Sequence, residues 1–203
     1  MTSCCTNNIE LDELLARWDL RSEAIPYVEL KEELGRLTFR REDVEEHIRF
    51  DDSRYQRISI HRTPCYEVLV LCWRSGQRSM IHDHAGSACV IRILEGSATE
   101  TVFEPSPCGR LVPTHSHSAK EGAMCASFDA DIHQLANLQP AGRDLITFHV
   151  YSPPLSHMRT YSIEETALAP LDAAIASRPD RLLGTDLSPI PLGHLEPVLF
   201  QGS

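Results

Sequence analysis

The apolar residues of this chain change period once, near Asp51, and that change limits the possible fold more than any other feature of the sequence. Before it, Leu11, Leu14, Leu15 and Trp18 recur at i, i+3, i+4 and i+7 with Glu10, Asp12 and Glu13 opposite, which predicts an amphipathic helix over Ile9–Trp18. Two more helices are expected over Tyr27–Leu37, behind Pro26, and over Glu42–Ile48. After Asp51 the period is 2. Tyr66–Trp73, Ser87–Leu94, Ala98–Phe103 and Asp144–Tyr151 are short runs rich in β-branched, aromatic and Leu residues, separated by Gly, Pro and Ser. Many short strands without long helical stretches between them point to a sandwich or a barrel and away from a parallel α/β sheet. Beyond Glu164 no clear period remains apart from a weak helical signal at Pro170–Ser177. The expected organisation is therefore N-terminal helices over 1–50 packed on a β-domain over 51–165, then an irregular wrap over 166–194. Residues 195–203 end in Leu-Phe-Gln-Gly-Ser, which resembles the remnant of a protease-cleavable tag, with a native tail left open.

Charge and cysteine usage exclude several classes. With 29 Asp plus Glu against 19 Lys plus Arg, a net charge of −10 and no block of five like charges, a nucleic-acid partner is not expected. No stretch of 18 apolar residues occurs, so no membrane span is expected, and Met1–Glu10 has no basic region followed by an apolar core. The seven cysteines are odd in number and lack the paired short spacings of a zinc ribbon or a secreted disulfide framework. Free thiols in a reducing, cytoplasmic compartment are expected.

Among ten histidines, two pairs have one intervening residue: His82 with His84, and His115 with His117. In an extended segment such a pair projects to one face, where two imidazoles can reach one metal ion while Asp83 points the other way. Only the first pair has a frame around it. Gly76, five residues, His82, one residue, His84, four residues, Cys89, six residues, Gly96 resembles the first signature of the cupin superfamily at every spacing, with Cys where most cupins have Glu. A second frame of Gly122, Phe128, Ala130, His133 and Asn137 is similar to the second cupin signature in register, with Phe128 and Ala130 replacing its usual Pro and Gly. The resemblance implies an all-β cupin jelly-roll barrel with His82, His84 and His133 as metal ligands. His115 and His117, beside Pro113 among Thr and Ser residues, read as loop surface.

The resemblance narrows to the cysteine dioxygenase (type I) family of thiol dioxygenases on Tyr55-Gln56-Arg57, Cys72-Trp73, the His82–His84 segment with Cys89, His133, and Thr147-Phe148-His149-Val150-Tyr151-Ser152-Pro153-Pro154. That family uses a three-histidine Fe(II) to add both atoms of dioxygen to the thiolate of cysteine, giving cysteine sulfinic acid. Carried across, His82, His84 and His133 correspond to the iron ligands and Arg57, with Tyr55 on the same face, to the residue that holds the substrate carboxylate. Thr147, His149 and Tyr151 fall at i, i+2 and i+4 of a strand and match a family relay of Ser, His and Tyr, with Thr in place of Ser. Cys89 aligns with the cysteine that in some members forms a thioether to the tyrosine matched by Tyr151; the sequence leaves open both that bond and the peptide isomer at Ser152-Pro153-Pro154.

The expected function is a non-haem iron thiol dioxygenase acting on L-cysteine and dioxygen, as a monomer. The alternatives are a thiol dioxygenase for 3-mercaptopropionate or another small thiol, and a metal- or ligand-binding cupin without catalysis. The first alternative depends on register, because relatives with that preference have Gln at the position of Arg57 and Gln56 is adjacent: a one-residue slip would exchange the two.

Overall fold

The computed structural model describes residues 6–107, 109–128, 132–155, 157–163 and 171–174. Asn8 begins the first helix, its side-chain oxygen accepting a hydrogen bond from the Leu11 N–H at 3.0 Å. Helix α1 (Ile9–Trp18) buries Leu11, Leu14, Leu15 and Trp18, and α2 (Tyr27–Arg36) buries Leu30 and Leu34. The third expected helix is instead a 3-10 helix, Arg41–His47, kinked at Val44. Such short pieces are where i+3 bonding competes with the α form, and here the Asp43 carboxylate turns back to accept the Arg40 N–H at 2.7 Å.

Strands follow in the order β1 (Gln56–Arg62), β2 (Glu67–Trp73), β3 (Ile81–His82), β4 (Ala88–Glu95), β5 (Ser97–Pro105), β6 (Leu111–Lys120), β7 (Met124–Phe128), β8 (Ile132–Ala136), β9 (Leu145–Ser152), β10 (His157–Tyr161) and β11 (Leu171–Ala174). Two sheets form, in the orders β1-β2-β9-β4-β7 and β11-β10-β3-β8-β5-β6, and the paired strands run antiparallel. This is the cupin jelly-roll barrel. Leu171–Ala174 pairs with β10 as a strand, so the four described residues of the Pro170–Ser177 segment are not helical. The rest of the expected C-terminal wrap, and the terminal residues 195–203, lie outside the described residues.

The two faces of the first sheet have different partners. Val68, Val70, Phe148 and Val150 share one apolar cluster with the α1 and α2 leucines, whereas Leu69, Leu71, Trp73, Ile91 and Tyr151 belong to a second cluster that includes Leu135 of the other sheet. Strands β2 and β9 are buried on both faces, which is why they read as nearly continuous apolar runs. Arg92 of β4 donates to the Leu34 carbonyl at 2.7 Å, beside the bond that carbonyl accepts from the Leu37 N–H at 3.3 Å, and so ties the end of α2 to the sheet.

The glycine frames have local causes. Gly96 has φ +82°, and a Cβ there would lie 2.4 Å from the Asp144 carbonyl oxygen, so the β4–β5 turn admits no side chain. Asn137 is fully buried and donates to the Trp73 and Arg143 carbonyls at 3.1 and 2.9 Å, tying the end of β8 to the end of β2. The Ser152–Pro153 peptide is cis.

Candidate metal centre

Three imidazoles meet inside the barrel. His82 ends β3, His133 sits directly opposite it on β8, and His84 lies just past β3 in the turn that contains Ala85 and Gly86 at positive φ. The strand is thus only two residues long, and His84 reaches the site from a turn rather than from the extended segment its spacing suggests. Asp83 does point away. Buried, it accepts hydrogen bonds from Tyr161 at 2.7 Å and pairs with the Arg159 guanidinium at 2.7 Å, which pins the turn to β10.

Each ring has its Nδ1 engaged. His82 Nδ1 donates to the Met80 carbonyl at 2.8 Å, His133 Nδ1 donates to Glu100 Oε1 at 2.5 Å, and His84 Nδ1 stands 3.3 Å from Ser127 Oγ. With Nδ1 carrying the proton, the Nε2 lone pairs of His82 and His133 are free to bind a cation. Burial, followed by the neighbouring ring of His133, lowers the His82 pKa to about 3 and holds that of His84 well below its ordinary value, so neither needs to lose a proton to become a ligand.

The ligand atoms of His82, His84 and His133 all lie within 4.8 Å of one another. His84 Nε2 and His133 Nε2 are 3.1 Å apart. Two imidazole nitrogens each about 2.1 Å from one ion would stand roughly 3.0 to 3.4 Å apart for right-angle to tetrahedral arrangements. The donor set therefore fits a transition-metal ion, and with no carboxylate among the three ligands the centre keeps the ion's full positive charge.

The pocket over this trio is lined by Tyr55, Arg57, Trp73, His149, Tyr151 and apolar residues including Leu71 and Ile91, and encloses about 270 Å³ with its open mouth included. Arg57 pairs across the ladder with Leu71, an inner-face residue, whereas Gln56 pairs with Cys72, which belongs to the helix-side cluster. The register thus turns Arg57 into the pocket and Gln56 away from it. Tyr55 hydrogen-bonds Arg57 and stacks on Trp73 with ring centroids 4.1 Å apart.

On β9, Thr147, His149 and Tyr151 face inward while Phe148 and Val150 pack toward the helices. His149 bridges the other two, with Nε2 2.8 Å from Thr147 Oγ1 and Nδ1 3.3 Å from the Tyr151 hydroxyl. The Trp73 indole, which can only donate, gives its N–H to Thr147 Oγ1 at 3.0 Å. Cys89 lies opposite Tyr151 in the β4–β9 ladder and shares a hydrogen bond with it. One direction satisfies every group: Trp73 to Thr147, Thr147 to His149, His149 to Tyr151, and Tyr151 to the Cys89 sulfur. Burial lowers the His149 pKa far below its usual range and raises those of Tyr151 and Cys89, so all three are uncharged.

The nine residues singled out in the sequence thus gather around one pocket. Two neighbours were not singled out. Glu100 orients His133 through Nδ1; the available signal was a carboxylate on the inward register of β5, between Ala98 and Val102. Trp73, quoted for its resemblance only, anchors the relay and supports Tyr55. His115 and His117 lie on strand β6 rather than in a loop: nearly all of that edge strand is exposed, so burial imposes no alternation by which to recognise it. Ala130 of the second frame, with Cys4, Cys5 and Cys108, lies outside the described residues. Among the described residues, no helix is long and apolar enough to cross a membrane.

A family model described as Cysteine dioxygenase type I matches residues 33–164. A Cysteine dioxygenase type 1 from Danio rerio is 30% identical over 122 residues, covering 56% of this chain and 58% of that protein. The protein of that name from Homo sapiens is 31% identical over 113 residues, covering 52% of this chain and 54% of its own length. The chain thus matches little more than half the length of these curated relatives. Among solved structures, a protein with a double-stranded beta-helix domain from Klebsiella pneumoniae subsp. pneumoniae is similar at a TM-score of 0.47 and 19% identity, covering 58% of this chain and 84% of that one. With the family model running from α2 through the barrel and across His82, His84 and His133, the chain belongs to the cysteine dioxygenase type I family of the cupin superfamily.

Proposed function

We infer that this pocket oxidises a small thiol that also carries a carboxylate, L-cysteine, with dioxygen to the sulfinic acid, using Fe(II) held by His82, His84 and His133. The observation that carries this reading is a guanidinium, Arg57, lining the same pocket as His82 and His133, whose ligand nitrogens lie with that of His84 within 4.8 Å of one another. Bound there, ferrous iron supplies open coordination positions and the electron transfer that allows a thiolate to combine with dioxygen.

The chain's own residues bind and orient. Arg57 receives the carboxylate in a charge-assisted pair worth about 1.5 to 3 kcal/mol net, so a thiol lacking that group binds at least about tenfold more weakly. Tyr55, held flat against Trp73, fixes the guanidinium plane. Tyr151 keeps its proton, donated in a hydrogen bond to the Cys89 sulfur, and its phenol lines the pocket, held in place by His149 and Thr147. Leu71, Ile91 and Leu135 close the apolar sides against water.

In this reading Cys89 and Tyr151, opposite one another in the β4–β9 ladder, are joined by a thioether. Joining Sγ to the phenol ring removes one hydrogen from each partner, two electrons and two protons together, with dioxygen as the acceptor; a protein two hydrogens lighter by intact mass, and not so in Cys89→Ser, is the expected result.

The deciding experiment is dioxygen uptake by the Fe(II)-loaded protein offered L-cysteine or 3-mercaptopropionate, repeated with Arg57→Ala. Uptake with cysteine that falls at least about tenfold in kcat/KM in the variant is expected. Cysteine turnover unchanged by Arg57→Ala removes the carboxylate role, and absence of uptake with iron bound leaves a metal-binding barrel without this reaction.

A further inference from the structure

Glu100 has two carboxylate oxygens, and the barrel centre uses one. Its Oε1 accepts from His133, while its Oε2 stands 3.1 Å from His117 Nε2. The β5–β6 ladder places His117 directly opposite Glu100, so both project from the same face of their sheet. Cys125 comes from the other sheet, on β7, where it pairs with Ile91 and packs partly against the inner cluster. The three meet at the open edge of the barrel: the carboxylate O, imidazole N and thiol S all lie within 4.8 Å of one another. Among the described residues, this trio and the barrel trio are the groupings of His, Cys, Asp and Glu whose ligand atoms come this close.

We propose that Glu100, His117 and Cys125 form a second metal site, selective for a zinc-type divalent ion, which shares Glu100 with the barrel centre and so couples the two. The donor chemistry sets the selectivity. A thiolate and an imidazole with a single carboxylate oxygen suit zinc and cobalt; calcium and magnesium require mostly oxygen ligands, and this trio has one. The site is reachable from water, since the His117 side chain is 49% exposed, while the Glu100 side chain, at 12%, is held in place by His133. On binding, the Cys125 thiol releases its proton to solvent, and three protein ligands leave a fourth position for water. His117 as a bare ion-pair partner of Glu100 is the simpler explanation of the geometry, but it gives Cys125 no part.

Coupling follows from the shared carboxylate. A cation on Oε2 draws negative charge away from Oε1, weakens the hold on His133 Nδ1–H and makes that imidazole a poorer donor on its other nitrogen. Zinc at the edge therefore loosens the ion in the barrel, whichever thiol that centre oxidises.

The test titrates Co(II) into the iron-loaded protein without oxygen, following thiolate-to-cobalt absorption together with retained iron. One further equivalent is expected, with the thiolate band present, displaced by Zn(II), absent in Cys125→Ser and weakened at least tenfold in His117→Ala. Uptake of no further equivalent, or a band that survives in Cys125→Ser, overturns the site. In case the variants do not fold, the unmodified chain is alkylated with and without zinc and its peptides weighed. Protection of Cys125 is expected, and an unchanged rate there overturns the site independently of the variants.

Discussion

His82 and His84 have the same spacing as His115 and His117, yet the two pairs end in opposite environments. The first pair is 6% and 1% exposed at the bottom of a pocket; the second lies along an edge strand exposed over most of its length. What separates them is the arrangement behind each ring. His82 gives its Nδ1–H to the Met80 carbonyl and faces a third imidazole, whereas His115 Nδ1 lies 3.2 Å from the Thr114 hydroxyl of the neighbouring residue. A histidine pair becomes a metal centre when burial holds it neutral and a fixed acceptor chooses its tautomer.

The largest test of that contrast is removal of a ring. His133→Ala is expected to abolish metal retention in the barrel, read by elemental analysis after desalting, because two imidazoles hold an ion in an open site poorly. Full retention there would mean that the converging geometry is not what binds.

Next in size is the carboxylate behind the ring. Glu100→Gln keeps the shape but loses the charge, and is expected to weaken metal binding in the barrel about 10- to 100-fold in a chelator competition. An unchanged affinity would make the 2.5 Å contact with His133 packing only.

Acid tests the burial of the first pair by a different measure. Burial lowers the folded-state pKa of His82 to about 3, against an ordinary value of 6.5. Between those values the unfolded chain binds more protons than the native one, so stability of the metal-free protein is full above about pH 6.5 and is lost as the pH falls toward about 3. The slope is up to about 1.4 kcal/mol per pH unit for this one residue. Urea unfolding of the metal-free protein at several pH values measures it, and His82→Gln is expected to flatten the curve. A profile already flat in the unsubstituted protein would contradict the burial of the ring.

The smallest effect belongs to His115 of the exposed pair. His115→Ala is expected to change stability by less than about 0.5 kcal/mol and to leave barrel metal content unaltered. A loss of barrel metal in that variant would erase the distinction between the two pairs.

The residues legible in advance were those whose pattern burial dictates. The α1 stripe of Leu11, Leu14, Leu15 and Trp18 was readable because a single face is covered, and β2 and β9 because both of their faces are. Strand β6 was not, since water imposes no alternation, and β3 was too short to carry a period at all. The three histidines were legible through their glycine frames, but Glu100 and Cys125 were not, because neither lies near its partners along the chain.

The sequence by itself determined which side chains are chemically able to act: three imidazoles in two spaced frames, a guanidinium beside a glutamine in one strand, and a polar stripe at alternate positions of another. Alternation along a strand is local geometry, so it can be read from a linear string. Only the tertiary structure decided that Arg57 rather than Gln56 turns inward, that Glu100 stands behind His133, and that His84 arrives from a turn. Those outcomes depend on ladder register and on which sheet face is covered, and both are fixed by contacts between residues far apart in the chain.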